Sequence, residues 1–126
     1  MKLVVEVEPL PQTRPRFSKF GGCYEPAPMK EYKRKIALVA NAFMQSNNLE
    51  AMTGELSASV RLYRKYKRTS RRYGDCDNHL KAIFDALNGI IYADDSQIVC
   101  CSCEKHTDKD KARIEIEIQT AENFAE

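Results

Sequence analysis

Five aspartates and one lysine fall between positions 75 and 95: Asp75, Asp77, Asp85, Asp94 and Asp95, with Lys81 among them. Carboxylates at this density have two uses. At a helix start, Asp and Asn accept hydrogen bonds from free N–H groups, and an acidic first turn suits the helix dipole. If Asp77 is the N-cap, then Asp77, Lys81 and Asp85 share one helix face, where exposed ion pairs contribute only about 0.2–0.5 kcal/mol each. Asp75, Asp94 and Asp95 are left over. Should the strand after Asp94-Asp95 run beside the helix start, the carboxylates would converge, and like charges that close raise one another's pKa unless a cation is bound. An oxygen-only cluster suits Mg²⁺ or Mn²⁺ rather than zinc. Spacing alone leaves capping and metal binding both open.

The elements that must position these residues are legible from periodicity. Leu3, Val5 and Val7 alternate with Val4, Glu6 and Glu8, a strand stopped by Pro9 and Pro11. Pro26 and Pro28 precede a helix over about 29–46, with Tyr32, Ile36, Val39, Ala40 and Phe43 on an apolar face. Leu56, Ala58, Val60 and Leu62 mark a second strand. A helix over about 77–88 buries Leu80, Ile83, Phe84 and Leu87, and Asn88-Gly89 ends it. Strands over about 97–104 and 112–119, joined by the polar turn 107–110, read as a hairpin.

Basic segments flank the acidic stretch. Arg14, Arg16 and Lys19 alternate with Phe17, Phe20 and Tyr24 around Gly21-Gly22, a pattern that either grips phosphates and bases or is a solvated loop with packed aromatics. Lys30, Lys33, Arg34 and Lys35 crowd a helix start, against the macrodipole. Arg64-Lys65-Tyr66-Lys67-Arg68-Thr69-Ser70-Arg71-Arg72-Tyr73 holds six cations and no acid, a run expected to stay unburied and mobile, and directly precedes Asp75. Residues 1–73 carry 15 Lys/Arg and 6 Asp/Glu, while residues 74–126 carry 5 and 12. The overall +2 therefore conceals a basic half suited to a polyanion and an acidic half suited to a cation.

A chain of 126 residues fits one domain over 1–126. No apolar run nears the ~20 residues that span a bilayer, and no signal-peptide pattern opens the chain, so a cytoplasmic protein is expected, without membrane contact. Five cysteines, an odd number, read as reduced thiols. Cys100 and Cys103 have a Cys-x-x-Cys spacing, but a strand points them to opposite faces, so small buried apolar residues are expected rather than zinc ligands. Cys76 is a soft ligand beside a hard site.

The string Asp75-Cys76-Asp77-Asn78, then Lys81, Asp85-Ala86-Leu87 and Asp94-Asp95-Ser96-Gln97-Ile98, resembles the RusA family of Holliday junction resolvases. Arg14-Pro15-Arg16-Phe17 through Tyr24-Glu25-Pro26 is similar to the family's amino-terminal segment, and His79 stands where members often have Leu. The resemblance, over about residues 4–118, implies an α+β fold, a small mixed sheet with two main helices in the order β-α-β-α-β-β. It implies a homodimer that uses Mg²⁺, with Mn²⁺ as a substitute, to resolve four-way DNA junctions by paired symmetric nicks in recombination and repair. By position, Asp75, Asp77 and Asp95 would be the catalytic metal ligands and Lys81 the essential basic residue. Asp85, Asp94 and Asn78 would support them, with Asp85 orienting Lys81. Arg14, Arg16, Lys19, Lys67, Arg68, Arg71 and Arg72 would contact DNA. The competing readings are a non-catalytic nucleic-acid-binding module and a flap or fork nuclease.

Overall fold

The computed structural model of the chain describes residues 1–121. A four-stranded sheet carries both helices on one face. It is built from β1 (Lys2–Val5), β4 (Leu56–Arg64), β5 (Ile98–Thr107) and β6 (Arg113–Thr120), in the order β1-β6-β4-β5. The helices are α1 (Ala27–Ser46) and α2 (Cys76–Leu87), with a single 3₁₀ turn, η1 (Asp95–Gln97), before β5. The mixed α+β class is as expected. The Arg/aromatic stretch adds a second small sheet, the hairpin of β2 (Arg16–Phe17) and β3 (Cys23–Tyr24).

Strict alternation shapes the central strand. Along β4, Leu56, Ala58, Val60, Leu62 and Arg64 are buried while Ser57, Ser59, Arg61 and Tyr63 are half-exposed. The buried set faces Ile114, Ile116 and Ile118 of β6 and Leu3 and Val5 of β1, and Met29, Tyr32, Ile36, Ala40 and Met44 of α1 with Ile83, Phe84 and Leu87 of α2 close the same core. Each such apolar side chain contributes roughly 1.5–3 kcal/mol on burial. The open face is held by polar pairs instead: Arg61 and Arg113 both reach Glu115 at 3.0 Å, and Tyr63 stacks on His106.

The expected hairpin of the last two strands does not form. β5 pairs parallel to β4 through the α2 crossover, Leu56 opposite Ile98 and Arg64 opposite Thr107, and β6 lies on the other side of β4. The turn 108–112 thus steps over the end of a strand. The isoleucines of β6 explain the choice, since they are buried only at the sheet centre between β1 and β4, whereas β5 buries little.

The basic run is also more ordered than its charge suggests. Arg64 and Tyr73, expected to remain solvated, are buried. The Arg64 guanidinium donates to Glu8 Oε1 at 2.8 Å and to the carbonyls of Arg72 and Tyr73, so the charge is compensated on every side. The Tyr73 hydroxyl donates to the carbonyls of Leu62 and His106. Both ends of the loop are thereby fastened, and Lys65, Lys67, Arg68, Arg71 and Arg72 project between them.

Candidate active site

The acidic residues separate by environment. Helix α2 starts one residue earlier than expected, with Asp75 rather than Asp77 at the N-cap, and its side chain makes no capping bond. Asp77, in the first turn, likewise has no side-chain hydrogen bond or ion pair among the described residues. Both carboxylates are exposed at the positive end of the helix dipole, which stabilises their charge without using their oxygens. Asp94 is the true capping residue. It accepts from Ser96 N at 3.2 Å and forms a capping box with Gln97, whose side chain accepts from Ala93 and Asp94 and donates to Met52 and Gly54. The contact with Ser96 holds the Asp94 carboxyl below its ordinary range.

Asp85 does not orient Lys81. It accepts instead from Lys33 Nζ of α1 at 2.7 Å, and Lys33 also binds Glu25, which Gln12 contacts at 3.0 Å. Burial pulls the Lys33 ammonium down, but hydrogen bonds to Asp85 and Glu25 outweigh it and the net shift is upward. Glu25 is held below its ordinary range by Lys33 first and Gln12 second. This α1–α2 bridge was invisible in sequence, because Lys33 looked like one more member of a cationic helix face.

The two acidic motifs lie at different places on α2. The helix start sits over the middle of β5, where Cys76 Sγ approaches the Cys103 carbonyl and Lys105 Nζ donates to the Gly74 carbonyl. Asp94 and Asp95 approach its later turns: the Tyr92 hydroxyl bonds the Phe84 carbonyl, and burial followed by the charges of Asp95, Asp85 and Asp94 raises its pKa. The strand after Asp94-Asp95 therefore starts at the Leu56 end of β4, away from the helix start. Among the described residues no three His, Cys, Asp or Glu side chains gather at metal-binding separation.

Cations surround the helix start on two sides. One open cavity of about 570 Å³ is walled by Arg14, Lys33, Asn78 and Lys81, and the Gln12 N–H to Asn78 carbonyl bond at 2.9 Å fixes the Arg14 segment against α2. Another, of about 530 Å³, is walled by Arg68, Thr69, Cys76 and Lys105. Arg14 and Arg68 thus lie next to the acidic turn, while Arg16 joins Arg14 at a separate recess of about 250 Å³. Lys19, Lys67, Arg71 and Arg72 are exposed on the two loops. Phe17 and Phe20 are 78% and 97% exposed, so these aromatics are not packed. Lys105 is a cation of this surface that the sequence did not point to, and Lys33 stood out there only as one of the cations at the α1 start.

The local backbone explains why the turn holds its shape. Gly74 has φ +90°, and a Cβ there would meet Pro11 at 2.7 Å. His79 is fully buried, its Nε2 is 2.6 Å from the Tyr73 carbonyl, and burial lowers its pKa to about 4. A neutral imidazole thus clamps the residues just before Asp75.

A small mixed sheet presenting an acidic helix start between cation-walled cavities has the chemistry of a protein that handles phosphodiesters. The family model described as endodeoxyribonuclease RusA matches residues 6–119, and the chain belongs to that family of nucleases. It is also 34% identical to the uncharacterised protein YqaN of Bacillus subtilis (strain 168), with 94% of this chain and 95% of that one covered.

Proposed function

We propose that this chain is a metal-dependent endonuclease that resolves four-way DNA junctions by paired symmetric nicks, in recombination and repair. The observation that carries the reading is the start of α2, where Asp75 and Asp77 keep their oxygens free of partners among the described residues, between two cationic cavities. That donor set suits Mg²⁺, which commonly takes one or two carboxylates and completes its shell with water and substrate phosphate. A bound Mg²⁺ would supply Lewis-acid polarisation of the phosphate and a more acidic water. The protein's own part is positioning. Asp75 and Asp77 would hold the ion, Lys81 would offset charge developing on the phosphate, and Arg14 and Arg68 would seat the backbone on either side. Asn78 supports the turn, while Asp94 shapes the η1 turn and so directs Asp95.

Asp95 joins this scheme through a second copy. β5 is an edge strand of ten residues, and antiparallel pairing of two such edges about a twofold axis would set Ile98 of one copy beside Thr107 of the other. Asp95 of that copy, three residues ahead of Ile98, would then approach Asp75 and Asp77. The dimer works as two copies of one domain, each nicking one strand. Acting on cellular DNA, it would work in the cytoplasm.

The test is a labelled synthetic four-way junction incubated with protein, with and without Mg²⁺. Symmetric nicks only with Mg²⁺ are expected, and Asp77→Asn should bind the junction normally but nick it at least about 10²-fold more slowly. Cleavage retained by purified Asp77→Asn protein overturns the assignment. A shifted band never cut supports a binding module, and faster cutting of flaps or forks supports the other nuclease reading.

A further inference from the structure

Two of the five cysteines meet at the acidic turn. Cys76 is the first residue of α2, and its Sγ donates to the Cys103 carbonyl oxygen at 3.8 Å. Cys103 lies mid-strand in β5 opposite Val60, facing the helix. Both are partly buried and both are free thiols. Cys76 opens onto the cavity walled by Arg68 and Lys105, wide enough for a small reagent and favourable to an anionic one. Cys100, opposite Ser57, points to the other face of the sheet, and Cys23 sits on the distant β3. Cys101, opposite Ala58, shares the helix-facing side of β5 but is exposed, and Cys103 is the one whose carbonyl Cys76 contacts.

We propose that Cys76 and Cys103 are an oxidisable dithiol whose closure into a disulfide weakens divalent-cation binding at Asp75 and Asp77. The consequence for cleavage rests on the function proposed above. The oxidant is a small-molecule disulfide of the glutathione class. The Cys76 sulfur attacks one of its sulfurs, forming a mixed disulfide, and one small thiolate leaves while the Cys76 proton passes to solvent. The Cys103 sulfur then attacks the Cys76 sulfur, a second small thiol departs, and the protein bond closes. The protein loses two protons and two electrons, and the small disulfide gains them to become two thiols. An S–S bond of about 2.05 Å replaces a looser contact and draws the first residue of α2 onto β5. Cys76 stands between Asp75 and Asp77, so both carboxylates shift with it.

Full-length protein treated with oxidised glutathione, then freed of reagent, should lose the mass of two hydrogens with no adduct. Cys101→Ser should still cross-link and Cys103→Ser should not. Calorimetry with Mg²⁺ should show affinity lowered roughly tenfold or more in the oxidised form and restored by dithiothreitol. Junction nicking should fall in parallel, while Cys103→Ser stays active in the oxidant. A stable glutathione adduct on Cys76, cross-linking that survives Cys103→Ser, or unchanged Mg²⁺ affinity after closure overturns the proposal. If neither redox form nicks junctions, the nuclease reading fails, and the mass and calorimetry still decide this one.

Discussion

Identical side chains at the start and end of the acidic stretch have been given different work by their surroundings. Asp94 spends its oxygens on Ser96 and the η1 turn, and Asp85 spends its own on Lys33. Among the described residues Asp75, Asp77 and Asp95 spend none on the protein, and of these Asp75 and Asp77 stand together at one helix start, available to an external cation. His79 illustrates the same principle in the core. Its pKa falls from 6.5 to about 4 because burial disfavours the charged ring. The unfolded chain then binds the proton more readily between those values. Stability should be unaffected by this group above pH 6.5 and should decline as pH falls toward 4, by on the order of 3 kcal/mol at most. Urea titrations at pH 7 and pH 4.5 would show this, and His79→Leu should flatten that part of the profile. An unchanged profile in His79→Leu would contradict the account.

At the scale of elements, the turn from Tyr73 into α2 links the basic loop to the acidic helix start. Arg64 and Tyr73 fasten the loop, while Gly74 supplies a backbone conformation that other residues adopt at a cost of about 1–2 kcal/mol. Gly74→Ala adds a clash with Pro11 to that cost. Its melting temperature should drop, and nicking should fall further than the lost stability accounts for, because Asp75 is displaced. Wild-type nicking by a folded Gly74→Ala protein would show that the turn does not set the site. The loop itself makes a different contribution. Substituting Arg68 or Arg71 should weaken junction binding and lower the slope of log affinity against log salt by about one each, as expected when one phosphate contact is lost. An unchanged slope would remove the loop from the interface.

For the molecule as a whole, the main question is what the free edge of β5 meets. Val99 is half-exposed on that edge, where a lysine would oppose strand addition. Val99→Lys should shift sedimentation toward the monomer and reduce cleavage of the junction while leaving the monomer fold intact by circular dichroism. A dimer as stable as the wild type would place the interface elsewhere. The division of charge along the chain becomes spatial here, since the basic segments of the first half wall the cavities on either side of the acidic turn of the second.

The sequence by itself determined the helices within a residue or two, the buried stripes of β4, β6 and α2, and the family, because these depend on local periodicity and on short motifs. Tertiary structure alone decided which strands pair, since β5 and β6 are close in the chain but compete for a central strand both can reach. It also decided which aspartates remain free. Asp77, Asp85 and Asp94 look alike as letters, and only the approach of Lys33 from α1 and the Gln97 capping box from η1 removes two of them from the cation site. The contact of Cys76 with Cys103 is of the same kind, created where a helix start crosses a strand far along the chain.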